Sequence, residues 1–321
     1  MKLKCAVLDD FQNVALSMAD WSVISDQVEV KVFHEHFQNE DKLINSIVDF
    51  DIVVIMRERT PFGASVLSQL PKLKLLITSG MRNASIDMKA ASNYGITVCG
   101  TASYSEPPLE LTWALILGLT RHVVKENQSI RENGPWQSTL GVDLYGKRLG
   151  VIGLGKIGSR VARVAKAFGM EVIAWSQNLT AERAEEEGVI LASSLEELLS
   201  KSDYVTVHLV LSERTRHLLG EKELKCMQPH AYIINTARAA IIDQKALVSA
   251  LEEKWIAGAG LDVYEQEPLP DDHIFRRLDN VLALPHLGYV SELNYRAYFT
   301  EAIEDIQAYL VGEPIRILNE K

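Results

Sequence analysis

The chain has 321 residues, long for a single hydrophobic core, and so points to two domains. Its 47% hydrophobic and 24% charged residues exclude global disorder, and a formal charge of -10 with no basic cluster excludes a nucleic-acid surface. The most apolar stretch, Leu111 to Leu119, is too short to span a bilayer, and the start MKLKCAVLDD reaches acidic residues too early for a secretory signal. Cys5, Cys99 and Cys226 are odd in number and far apart, which argues against a disulfide framework or a metal site and fits small buried thiols in a reducing cytoplasm.

The first domain opens with short β-rich runs, CAVLDD, VEVKVF, DIVVIM, LKLLITSG and ITVCG, separated by helix-like segments such as EDKLINSIVDF and IDMKAASNYG. That alternation predicts a parallel sheet covered on both faces. Residues 106–133 read as one long helix, with Ser105 as its cap, Pro107 and Pro108 in its first turn and Asn133-Gly134 as its stop. Its first half, LELTWALILGL, is apolar nearly all round and must be buried, in a core or between subunits. A second alternating series opens at KRLGVIG and continues through EVIAW, YVTVHLVL, AYIINTA, GAGLDVY and VLALPH, with capping-box spacing in SLEE at 194–197. Beyond His286 one amphipathic helix, within SELNYRAYFTEAIEDIQAYLVGEP, ends the pattern. The fold class is α/β: two doubly wound, parallel-sheet, Rossmann-like domains, the last helix returning to the first domain.

GLGKIG, residues 153–158, matches G-x-G-x-x-G. Alone the match is weak, but a strand precedes it and the helix SRVARVAKAFG follows. In that setting Gly153 permits the tight turn, Gly155 lets the backbone approach a pyrophosphate, and Gly158 lets helix and strand pack closely. Backbone N–H groups at the helix start, around Lys156 and Ile157, supply the anion site. The next strand ends in Ser176, Gln177 and Asn178. An acid at Ser176 would bond the ribose 2′-hydroxyl of NAD and repel the 2′-phosphate of NADP; serine removes the repulsion and favours NADP over NAD. Arg160 and Arg183 are the nearest cations in sequence, and a solvated helix charge explains each equally well.

Ligands of open α/β sheets bind beyond the carboxyl ends of the strands. Arg238 follows IINTA, Glu267 follows LDVYEQ and His286 follows VLALP, so all three belong at one sheet edge. An arginine grips a carboxylate through two hydrogen bonds, and a histidine beside a carboxylate carries a proton near neutral pH. Singly, each also fits an ion pair, a turn or a core histidine. Together they suit proton-coupled reduction of a carbonyl next to a carboxylate.

The ordered segments GKRLGVIGLGKIG, VHLVLSERTRHLL, YIINTARAAIID, GAGLDVYEQEP and LPHLG, with ITSGMRNASIDMKAASNYGITVCGT in the first domain, resemble the D-isomer-specific 2-hydroxyacid dehydrogenases. The resemblance implies a flavodoxin-like substrate-binding domain from residues 1–101 and 288–321, an NAD(P)-binding Rossmann domain from 102–287, and an active site in the cleft between them. It implies that Arg238 binds the substrate carboxylate, that His286 is the general acid in reduction, and that Glu267 holds it protonated. It places Thr236, Asp262 and Gly288 near the cofactor, and the N–H groups of Gly80 and Met81 on the substrate carboxylate. Asp262 reads equally as a strand-end residue, and Asp243 reads as a helix cap. Arg57, in IMRERTP, either faces the cleft and favours an anionic substrate or is a strand-end surface charge. The sequence departs from the family where Ala239 follows Arg238 and where GMRNASID replaces a glycine-valine-glycine loop. The implied activity is NAD(P)-dependent interconversion of a small 2-oxo acid, such as glyoxylate or hydroxypyruvate, and its D-2-hydroxy acid by a cytoplasmic homodimer. A phosphoglycerate dehydrogenase-like enzyme and a dinucleotide-sensing corepressor are the alternatives.

Overall fold

The computed structural model describes residues 2–37 and 39–319. The chain divides into two compact units, Met1–Tyr104 with Ser291–Lys321, and Ser105–Val290. These divisions fall a few residues from the limits read in the sequence.

The first unit holds β1 (Leu3–Val7), β2 (Val28–Val32), β3 (Ile52–Ile55), β4 (Leu75–Thr78) and β5 (Thr97–Gly100) in a parallel sheet of order β2-β1-β3-β4-β5. Every residue of β3 and β4 is buried, so they carry Ile, Val and Leu without alternation up to Thr78 at the end of β4. The connecting helices are α1 (Ala15–Met18), α2 (Glu40–Ile47), α3 (Ala64–Leu67) and α4 (Met88–Asn93). Side chains of Asn39 and Asp87 cap α2 and α4. The C-terminal helix Glu292–Leu310, capped by Ser291, packs on β4 and buries Tyr295, Tyr298, Phe299, Ile303 and Ile306. The residues beyond it return along β5: Gly100 N donates to Arg316 O and Leu318 N to Val98 O.

The second unit holds β6 (Arg148–Ile152), β7 (Glu171–Trp175), β8 (Ile190–Leu191), β9 (Tyr204–Val207), β10 (Tyr232–Asn235), β11 (Gly258–Leu261) and β12 (Val281–Ala283), parallel in the order β12-β11-β10-β9-β6-β7-β8. Its helices are α5 (Glu106–Thr120), α6 (Val123–Arg131), α7 (Lys156–Ala167), α8 (Ala181–Glu186), α9 (Leu195–Lys201), α10 (Glu221–Lys225) and α11 (Gln244–Glu252). Helices α5 and α7 pack on one another and share a core with Leu149, Val151, Val172 and Ile234, while α9 and α11 share a second core with Ile152, Ile173, Val205 and Ile233, so helices cover both faces of the sheet. Asp243 caps α11 by accepting from Ala246 N at 2.9 Å. Ser194 Oγ accepts from Glu197 N at 3.1 Å, while Glu197 reaches back to Ser193 N at 2.7 Å, one residue short of a reciprocal capping box.

Three expectations need correction. Residues 106–133 form two helices rather than one, because the Thr120 carbonyl accepts from Val142 N at 2.9 Å and His122 turns left-handed at φ 51°. The break falls where composition changes: α5 buries Trp113, Leu115, Ile116 and Leu119, whereas α6 buries nothing. Ser105 does not cap α5; its own backbone is already helical, and its hydroxyl is buried with no hydrogen-bond partner. The short edge strand β8 was not foreseen, and β9 stops at Val207, where YVTVHLVL predicted a longer strand.

Candidate active site

The glycine turn joins β6 to α7. Gly153 sits at φ 100°, outside the range of ordinary side chains, and a Cβ at Gly158 would lie 2.0 Å from the Gly153 carbonyl oxygen. Gly155, the residue before α7, differs: a Cβ there would meet nothing within 4 Å. No side chain caps α7, and its first turn carries no acid. The first N–H groups of a helix have no partner within it and attract an anion. The open position at Gly155 leaves room for an anion before this helix start, with Lys156 and Ile157 beginning the helix.

Ser176 follows β7 and is half-buried, while Gln177 and Asn178 form an exposed turn beside it. Arg160 forms an ion pair with Glu106 across α7 and α5, and Arg183 pairs with Glu186 at 3.1 Å and Glu187 at 2.8 Å. Both arginines are thus committed to carboxylates. His208, at the carboxyl end of β9, presses its carbonyl against Gly153, and burial pushes its imidazole down to about 4, so the ring is neutral. Leu209 also touches the turn, and Val210 is 76% exposed beside it. This apolar segment was missed in the sequence because it read as the end of a strand.

Arg238, Glu267 and His286 follow β10, β11 and β12, which are neighbours in the sheet. The turn carrying Arg238 is braced by buried Asn235, whose Oδ1 accepts from Ala237 N and whose Nδ2 donates to the Arg238 carbonyl, both at 3.0 Å. That brace is an Asx-turn legible in INTAR but not singled out there. The Arg238 guanidinium donates to the Ala237 carbonyl at 2.7 Å. Thr236 exchanges a hydrogen bond with Thr112 of α5 at 2.9 Å.

His286 Nδ1 lies 2.6 Å from Glu267 Oε2, and Glu267 Oε1 accepts from Tyr264 N at 2.9 Å. A carboxylate at Nδ1 fixes the proton there and leaves Nε2 for exchange. His286 adopts φ 53°, and the residues after it are pinned by Asp262, which accepts from Leu287 N at 2.6 Å and Gly288 N at 2.8 Å. Asp262 is fully buried, and burial pushes its carboxyl up to about 6 despite those two bonds. Tyr289, buried and also missed in the sequence, stands edge-on to the His286 ring at 5.3 Å.

In the first unit, Gly80 and Met81 follow β4 and Arg57 follows β3. The Gly80 N–H is donated to Thr101 Oγ1 at 3.1 Å, which corrects the expectation that it is available to a carboxylate. Met81 is 47% exposed. Arg57 is no solvated surface charge: its side chain is 21% exposed, its Nε lies 3.6 Å from Glu58 Oε2, its backbone stands at φ 51°, and its guanidinium lies so close to Gly80 that a Cβ there would be 2.6 Å from Nη1.

A glycine turn opening a helix, with an arginine and a carboxylate-held histidine on the same sheet edge, is the arrangement of a dinucleotide-dependent oxidoreductase. Residues 113–288 match the NAD-binding domain of the D-isomer specific 2-hydroxyacid dehydrogenases, and the chain belongs to that family. It is 36% identical over 299 residues to a glyoxylate reductase from Korarchaeum cryptofilum, covering 91% of this chain and 86% of that one. A D-3-phosphoglycerate dehydrogenase from Methanocaldococcus jannaschii is 38% identical over 277 residues, which span 85% of this chain but only 52% of that longer protein. The crystal structure of phosphoglycerate oxidoreductase from Vibrio cholerae superposes with a TM-score of 0.92 at 34% identity, covering 97% of this chain and 99% of that one. The protein is accordingly an NAD(P)-dependent oxidoreductase that interconverts a 2-oxo acid and its D-2-hydroxy acid. Among the described residues no helix is long and apolar enough to cross a membrane.

Proposed function

We propose that the enzyme reduces a small 2-oxo acid, glyoxylate or hydroxypyruvate, using NADPH at least as well as NADH. The observation that carries this reading is the His286–Glu267 pair at 2.6 Å, on the same sheet edge as Arg238. Arg238 takes the substrate carboxylate through its planar fork and polarises the neighbouring carbonyl. His286 donates a proton from Nε2 to the carbonyl oxygen in reduction and accepts it in oxidation. Glu267 fixes the orientation of the ring through its contact with Nδ1. Gly153, Gly155, Lys156, Ile157 and Gly158 hold the pyrophosphate, while Thr236, Asp262 and Gly288 line the nicotinamide end. NADPH, when bound, supplies the hydride. Ser176, Gln177 and Asn178 accept the 2′-phosphate because no carboxylate stands there to repel it. In the first unit, Met81 and Arg57 are the candidate contacts for an anionic group on the substrate. Rates for glyoxylate, hydroxypyruvate and pyruvate with each reduced cofactor test this; activity confined to larger apolar 2-oxo acids would overturn it.

Arg57 also favours a second reading, a phosphorylated substrate, supported by the names of the relatives from Methanocaldococcus and Vibrio. Including 3-phosphohydroxypyruvate in the same screen separates the two.

The enzyme works as a cytoplasmic homodimer through the segment after α6, where Trp136 is 80%, Leu140 92% and Tyr145 81% exposed. Large apolar side chains clustered in one segment mark a contact surface, and a second copy covers them. Sedimentation of Trp136→Glu should show a monomer; an unchanged dimer would place the interface elsewhere.

A further inference from the structure

In the first sheet, chain connections reverse direction between β1 and β3, and the loops leaving those strands part at that point. Here side chains bind the two loops together. Asp9, 1% exposed, adopts φ 58°, and its Oδ2 accepts the hydroxyl proton of Thr60 at 2.7 Å. Its Oδ1 lies 3.2 Å from Nδ1 of His36, in the loop after β2. Thr60 is itself 2% exposed. At the other end of the same short segment, the Arg57 N–H is donated to Ser79 Oγ at 2.9 Å and the Arg57 carbonyl accepts from Asn83 Nδ2 at 2.7 Å. Between them, Arg59 lies 4.8 Å over the ring of Phe11, from the loop after β1.

The segment from Arg57 to Thr60 is thus fastened at one end to the loop after β4 and at the other to a buried carboxylate. Both Asp9 and Arg57 occupy left-handed backbone positions, which residues with a Cβ seldom adopt. Packing alone gives no reason for a hydroxyl at Thr60, since valine has the same shape. A buried carboxylate aimed at that hydroxyl gives one, because a hydrogen bond to a charged acceptor is stronger and more directional than a neutral one.

We propose that Asp9 and Thr60 are positioning residues for Arg57. They fix the segment so that the guanidinium is already against Gly80 when the substrate's anionic group arrives. This role rests on the reading of Arg57 as a substrate contact. Holding a long, flexible cation in place before binding improves affinity by removing its ordering cost, and it leaves proton and hydride transfer untouched.

The test is steady-state kinetics of the full-length enzyme with glyoxylate and with 3-phosphohydroxypyruvate at saturating NADPH. Thr60→Val should raise KM about ten-fold, in line with loss of one hydrogen bond to a charged partner, with kcat within about two-fold. Thr60→Ser should restore wild-type KM, and the NADPH Kd from fluorescence titration should stay constant throughout. Thr60→Ala reads the same way if Thr60→Val expresses poorly. A lower melting temperature with unchanged KM would make the bond merely structural and overturn the proposal. Arg57→Lys is the control on the underlying reading. If Arg57→Lys raises KM and neither Thr60→Val nor Thr60→Ala does, the positioning role fails alone; if Arg57→Lys changes nothing with either substrate, the substrate contact and the positioning role fail together.

Discussion

Each unit begins its sheet with a strand, a turn and a helix at the place where the strand order reverses, and the two turns solve the helix start in opposite ways. In the first unit, Asp10 folds back, and its two oxygens accept from Val14 N and Ala15 N, both at 3.0 Å, so the chain supplies its own anion to α1. In the second, Gly155 leaves the start of α7 uncapped and open. The fold position is the same; the difference is whether a carboxylate already occupies it. In this chain the turn without a carboxylate is the one that carries the glycine motif.

The largest expected effect separates chemistry from that open turn. His286→Asn should cut turnover by roughly 10²-fold or more while the NADPH Kd stays close to wild type. Near-normal turnover would remove His286 from the reaction. Arg238→Lys comes next: a point charge cannot reproduce the planar fork, so kcat/KM for glyoxylate should fall by at least about ten-fold, again with the NADPH Kd unchanged. Equal rates for a 2-oxo acid and its neutral amide would remove carboxylate recognition instead.

Gly155→Asp would give the second unit the closed turn of the first. The added Cβ meets nothing within 4 Å and α7 should persist by circular dichroism, while NADPH affinity falls by about ten-fold or more through repulsion of the pyrophosphate. Retained affinity would break the comparison. Ser176→Asp should leave the turn open but shift the kcat/KM ratio of NADPH to NADH toward NADH by about ten-fold, since one well-placed charge is worth that much. A wild type that strongly prefers NADH, with a ratio unmoved by the substitution, would show that Ser176 is not the selector. The smallest effect belongs to Asp10→Ala, which should cost about 1 kcal/mol of stability as a lost cap, with no change in NADPH Kd.

The strands were legible because buried parallel strands carry unbroken apolar runs bounded by turn residues, and the glycine turn was legible because backbone geometry at Gly153 and Gly158 admits nothing larger. The edge residues Arg238, Glu267 and His286 could be placed from the order of elements alone. Tertiary hydrogen bonds were not legible. Nothing in residues 106–133 announces that Val142 will take the Thr120 carbonyl, and nothing near Gly80 announces that Thr101 will take its N–H. Supporting residues such as Asn235, Tyr289 and Asp9 escaped for the same reason: their roles depend on what the fold brings beside them.

The C-terminal helix lies on β4, although the two are separated in sequence by the whole of the second unit. A chain emerging from the ribosome therefore makes all five strands of the first sheet long before the side chains that complete its core, among them Tyr298 and Phe299. Until then one face of β4 waits without its cover, while Ser105–Val290 has every residue of its own unit in hand and can fold at once. The insertion thus keeps the earlier-made unit incomplete until Glu292–Leu310 has been made.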